Sequence, residues 1–247
     1  MNRMMVVATI AASAFFSLTA AGRAETKPLR HLVYNVGVTQ LTQTDELVMG
    51  NVGMLATASS GVAHYAGGLL SKGTITVDIV GFTNGDDAFA VQIAEQTDNR
   101  REPMVRVDVT SDGGLRLSPD DSNNLSAEEQ ALLRLLARKF LSQDALLAGK
   151  WVHQQIDRQT DIHEEFKITG TQPNGDLEIA VNQRIKVAGA QPFDSTTHGT
   201  ITYSPKFKVP RAITMDGRTH HEGIQQTQFE DLKVNLNLIS DSFEPNN

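Results

Sequence analysis

The sequence predicts a mainly β, α+β fold: one large curved antiparallel sheet or half-barrel, with a single long helix over about residues 127–147 packed on its concave face. Three observations predict it. Apolar and polar residues alternate along segment after segment, the period-2 pattern of strands with one buried face. Turn sequences rich in Asn, Asp and Gly separate many of those segments, which pairs neighbours as antiparallel hairpins. One stretch breaks the alternation with a leucine stripe at helical spacing, and that stripe has to cover something apolar.

Residues 1–24 read as a cleavable secretory signal peptide. Arg3 is the basic start, Met4 to Leu18 carries no charge, and Gly22-Arg23-Ala24 puts small residues where a signal peptidase reads, so cleavage falls after Ala24. A retained anchor would need about 20 apolar residues, whereas Thr9, Ser13, Ser17 and Thr19 interrupt a core of about 15. The expected mature part, residues 25–247, is long enough for one domain, with possible sheet halves at about 25–120 and 150–240 joined by the helix. The removed segment holds two arginines and no acid, so the net charge moves from −7 to −9. An acidic surface repels nucleic acid and anionic headgroups, and no basic run offsets it. Cysteine is absent, which excludes thiol catalysis, disulfides, cysteine-bound metals and a cysteine-linked lipid anchor.

His31–Gln40 is the first strand, with Leu32, Tyr34, Val36 and Val38 on its buried face. Residues 41–72, rich in Gly, Ala and Ser, read either as a loop or as strands whose small side chains let backbones approach closely. Ile75, Val77 and Ile79, the turn Asn84-Gly85-Asp86-Asp87, and Phe89, Val91 and Ile93 form a hairpin. Val105, Val107 and Val109 make a second one through Asp112-Gly113-Gly114 to Leu115 and Leu117. Ser126 and Glu129 then form a capping box, Leu132, Leu133, Leu136 and Phe140 fall on one helical face, and Gly149 terminates the helix. Beyond it, Val152, Ile156, Ile162, Phe166 and Ile168 share one parity, which assigns His153, Asp157, Asp161, His163 and Glu165 to the opposite, solvated face. The turn Gln172–Asp176 leads to Leu177, Ile179, Val181, Ile185 and Val187. Strands over 200–207, 212–215 and 224–238 complete the sheet, and the tail from Phe243 is expected to fray.

Tests for chemistry return little. Neither a Gly-x-Ser-x-Gly elbow nor a Ser-x-x-Lys pair occurs, and Ser59-Ser60-Gly61 reads as loop. The seven histidines lack His-x-x-x-His spacing; His153 and His163 read as a solvated face, and adjacent His220 and His221 point to opposite sides of a strand. Asp86-Asp87 and Asp120-Asp121 lack the spacing of a calcium loop, and no phosphate-binding glycine loop occurs, so no metal and no cofactor is expected. Asn124-Leu125-Ser126 is a formal glycosylation sequon.

The leading expectation is an exported, non-enzymatic binding protein of the periplasm or extracellular space. Its ligand would be an apolar or lipid-like molecule held under the helix by Leu132, Leu133, Leu136 and Phe140. This arrangement is similar in outline to bacterial periplasmic lipoprotein carriers, a likeness of fold that no motif carries. The alternatives are an envelope interaction or structural module with a filled core, and a hydrolase with a dispersed active site. A carboxylate-pair glycosidase belongs to that last class, although Trp151 and three tyrosines supply few aromatic platforms for sugar.

Overall fold

A computed structural model of the chain describes residues 27–46, 63–82, 87–99, 101, 103–117, 125–156, 159–189, 192–222 and 226–244. The expected signal peptide, Ser59-Ser60-Gly61, Asn84 to Asp86, Asp120-Asp121 and Asn124 lie outside the described residues.

The strands are β1 (Arg30–Glu46), β2 (Ala63–Phe82), β3 (Ala88–Thr97), β4 (Val105–Thr110) and β5 (Leu115–Leu117), then β6 (Lys150–Ile156), β7 (Thr160–Thr171), β8 (Leu177–Val187), β9 (Phe193–Ser204), β10 (Val209–Glu222) and β11 (Gln226–Asp241). Among the described residues between β5 and β6 lie two helices, α1 (Ala127–Leu135) and α2 (Gln143–Ala148). All strands join one antiparallel sheet in the order β5-β4-β3-β2-β1-β11-β10-β9-β8-β7-β6. It is a meander whose first and last strands meet at the centre and whose two edges, β5 and β6, are joined through the helices. The expected hairpins through Asp112-Gly113-Gly114 and Gln172–Asp176 are present, and Phe82 pairs with Phe89 across the other. The segment left open between loop and strand is strand at both ends, since β1 runs to Glu46 and β2 starts at Ala63. At Gly68 a Cβ would sit 2.6 Å from Leu41 Cδ2, the close approach that small residues permit.

The sheet curls because one short segment leans on both of its arms. Laid flat, eleven strands would span about 48 Å at roughly 4.8 Å per neighbour, whereas nine-residue α1 is only about 13 Å long. Yet the Lys139 amide donates to the Ser111 carbonyl beside β4 at 2.8 Å, and the Phe140 ring meets Trp151, Phe166 and Tyr203 of the opposite arm. Register shifts in β1, β2, β7 and β10 supply the bends.

The helical segment differs from the predicted single helix over 127–147. The helix starts as expected, with Ser126 Oγ accepting from the Glu129 amide and the Glu129 carboxylate accepting from the Ser126 amide. It stops after Leu135. The amides of Ala137 and Phe140 turn to carbonyls three residues back, and the Lys139 amide is drawn to Ser111. A second cap, Ser142, then starts α2, and Gly149 ends it with φ of 66°. The break lets the segment turn along the inner face instead of projecting past it.

A second correction concerns β6. The turn after Ile156 reverses the chain, so His153 stands opposite Glu164 and Trp151 opposite Phe166. Trp151 and His153 therefore face the concave side, while Val152 and Ile156 face out with 58% and 71% exposure. Paired residues of β6 and β7 have opposite parity, so the parity carried straight through this reversal fails. Of the tail expected to fray, the two described residues are engaged: Phe243 lies under the Arg30 guanidinium, and Glu244 pairs with Arg211.

Candidate ligand-binding site

Registered rows of side chains build the inner face. Val36, Leu236, Ile213, Ile201 and Ile179 lie side by side across five strands. The next row is Val38, Val234, Met215, Gly199, Val181, Phe166 and Trp151. One row further the character changes, to Gln40, Leu232, Gly217, Thr197, Gln183, Glu164 and His153. The concave surface therefore grades from hydrocarbon to polar within two residue steps, and α1 lies over that boundary.

The four residues expected under the helix have different fates. Leu132 and Leu133 are 0% exposed and Leu136 is buried, all within the main core. They fasten the strap to the sheet. Phe140 is half-buried, edge-on to Trp151 and Phe166 with centroids 5.5 and 5.2 Å away, and it lines an open space. That space is a cavity of about 160 Å³ on one flank of α1, walled by Phe140, Trp151, Phe166, Val181 and Leu135. On the other flank a cavity of about 280 Å³ is walled by Ile185, Ile213, Leu232, Val234 and Leu236. Ala131, Arg134, Gln183, Thr197 and Met215 line both. For scale, an apolar cavity of about 150 Å³ accepts a benzene ring.

A charged cluster stands in the smaller cavity. The Glu164 carboxylate receives hydrogen bonds from Gln183 Nε2 at 2.6 Å and pairs with His153 Nδ1 at 2.9 Å, while Arg134 comes within 3.7 Å. Burial by itself would raise the Glu164 pKa, but His153, Arg134 and Gln183 together outweigh it and hold the group below its ordinary value. The same hydrogen bond raises the His153 pKa against a smaller opposing effect of burial. Among the described residues no three His, Asp or Glu side chains group to hold a metal ion.

Sequence reasoning missed Arg134, His153, Glu164 and Gln183. A signal existed for two of them: Glu164 interrupts the parity run Ile162, Phe166, Ile168, and Gln183 interrupts Leu177, Ile179, Val181, Ile185. A polar residue at a core-facing position asks for a partner, and here each is the other's. His163 lies on the outer face, 3.2 Å from Glu165. His220 stacks on Phe229, and the His221 ring is tilted against Phe193.

Fold and site together define an open antiparallel meander with an internal helical strap and a cavity on each flank of it. No family model matches the chain, and no curated protein matches it. Among solved structures, it is similar to lipovitellin, in a study of that protein's lipid–protein interactions, at a TM-score of 0.39 and 9% identity, over 90% of this chain. The chain spans about a quarter, 26%, of the lipovitellin chain. A second likeness is to Ail, the attachment invasion locus protein of Yersinia pestis, at a TM-score of 0.19 and 7% identity, over 85% of this chain and 98% of that one. At these scores neither likeness carries an argument about this chain.

Proposed function

We propose that the protein is an exported carrier that holds a lipid-like ligand between α1 and the inner face of β7–β11. The observation that supports this most is unfilled space against an apolar floor, on both flanks of a helix whose own leucines are fully packed. A core meant only for stability closes such space, because each void forfeits contacts. Phe140 and the shared wall of Ala131 and Met215 would contact the ligand's apolar part, with Leu132, Leu133 and Leu136 setting the strap's position. Export rests on residues 1–24 as read above.

The delipidated chain should take up a fluorescent fatty-acid probe saturably. Ala131→Phe, which puts a ring into the wall common to both cavities, should weaken that uptake by about tenfold or more. An unaltered chain that shows no saturable uptake would remove the reading.

A further inference from the structure

Resting on that reading, we infer that the ligand is an anionic amphiphile, a long-chain carboxylic acid whose headgroup pairs with Arg134 while its chain lies along Met215 and the apolar rows. Three observations carry this. First, Arg134 lines both cavities and, among the described residues, is the one charged side chain in the wall they share. Its approach to Glu164, 3.7 Å, is too long for a hydrogen bond, so the fork of guanidinium donors is not spent on that carboxylate.

Second, the acids of the smaller cavity are engaged, while Glu128 stands in the wall of the larger one. Glu164 is bonded to Gln183 and His153, and Asp112 accepts from the Thr110 hydroxyl. The cationic groups in the smaller cavity are Arg134, Lys139 and His153, the last favoured in its protonated form by Glu164, against the two acids Glu164 and Asp112. Three basic groups against two acids here contrast with a chain whose net charge is −7.

Third, the cluster stands where the inner face turns from apolar to polar, so a molecule with its headgroup at Arg134 has hydrocarbon surface beside it. A planar carboxylate matches the guanidinium fork in two parallel hydrogen bonds, which an ester or an amine cannot do.

The chain's single tryptophan, Trp151, stacks on Phe166 in the cavity wall and reports occupancy by its own emission. Titration of the delipidated full-length chain with palmitic acid, its methyl ester and hexadecylamine separates the possibilities. The acid should bind about ten- to a hundred-fold tighter than the ester or the amine, the range a charge-assisted hydrogen bond supplies. Arg134→Met should bring the acid to the level of the ester in the same variant, and Arg134→Lys should restore part of the difference. The comparison on the unaltered chain needs no variant to fold. Equal binding of acid and ester, or preference for the amine, overturns the carboxylate assignment and leaves the carrier reading standing. Failure of all three to bind removes both.

Discussion

Glu164 is a carboxylate among Phe166, Trp151 and Val181, and it stays ionised because hydrogen bonds from His153 of β6 and Gln183 of β8 meet at it beside the positive charge of Arg134 of α1. The price of desolvation is met by those contacts. His153 gains from the same arrangement, facing Glu164, Asp112 and the opposing charge of Arg134, and its folded-state pKa lies above 6.5. A raised folded-state pKa means that the folded chain binds the proton more tightly than the unfolded one. The resulting stability is fully present below about pH 6.5 and is lost as pH rises through the higher folded value. Urea melts taken from about pH 6 to 9 should show stability falling with pH, and His153→Gln should flatten that slope. A slope of equal size in the variant would assign it to other groups. At this scale Glu164 and Gln183 were visible as breaks in parity runs, whereas Arg134 was not, because its sequence position only marks the last turn of a helix.

The strap shows how a correct start and a wrong end coexist in one element. The capping box at Ser126 and Glu129 is local chemistry within four residues, and it forms as predicted. The stop after Leu135 depends on a carbonyl at Ser111, which no local pattern reveals. The two ends also bear on stability differently. Leu133→Ala empties a fully buried site and should cost about 2–5 kcal/mol in urea unfolding. Leu147→Ala, on an α2 side chain that is 81% exposed, should stay within about 0.5 kcal/mol. Ser126→Ala should cost about 1 kcal/mol through the lost cap. If Leu133→Ala were as mild as Leu147→Ala, the strap would not be held by its leucines.

Across the whole molecule, the decisive contact is the seam where the first strand meets the last. Val36 pairs with Leu236, Val38 with Val234, and the pairing runs from Leu32–Asp241 to Glu46–Gln226. One end of the seam is locked by the Arg30–Asp241 ion pair, with side chains only 9% and 0% exposed and Nε to Oδ1 at 3.0 Å, while Arg30 also donates to the Phe207 carbonyl. Tyr34 donates to Pro210 beneath it, its phenol pKa raised by burial. Arg30→Met leaves Asp241 buried without its partner and should destabilise by about 3–5 kcal/mol. Adding Asp241→Leu should recover part of that loss, because the stranded charge is gone; no recovery in urea unfolding would mean that the ion pair is not what closes the seam. The sequence by itself determined the strand periodicity, the hairpin turns, the cap at Ser126 and the leucine face, since each is set by neighbours within a few residues. Only the tertiary structure decided which strands are central, where the strap breaks, and that His153, Glu164, Gln183 and Arg134 converge. Those depend on register and on chain reversals, through which residues far apart in the sequence come to share one face.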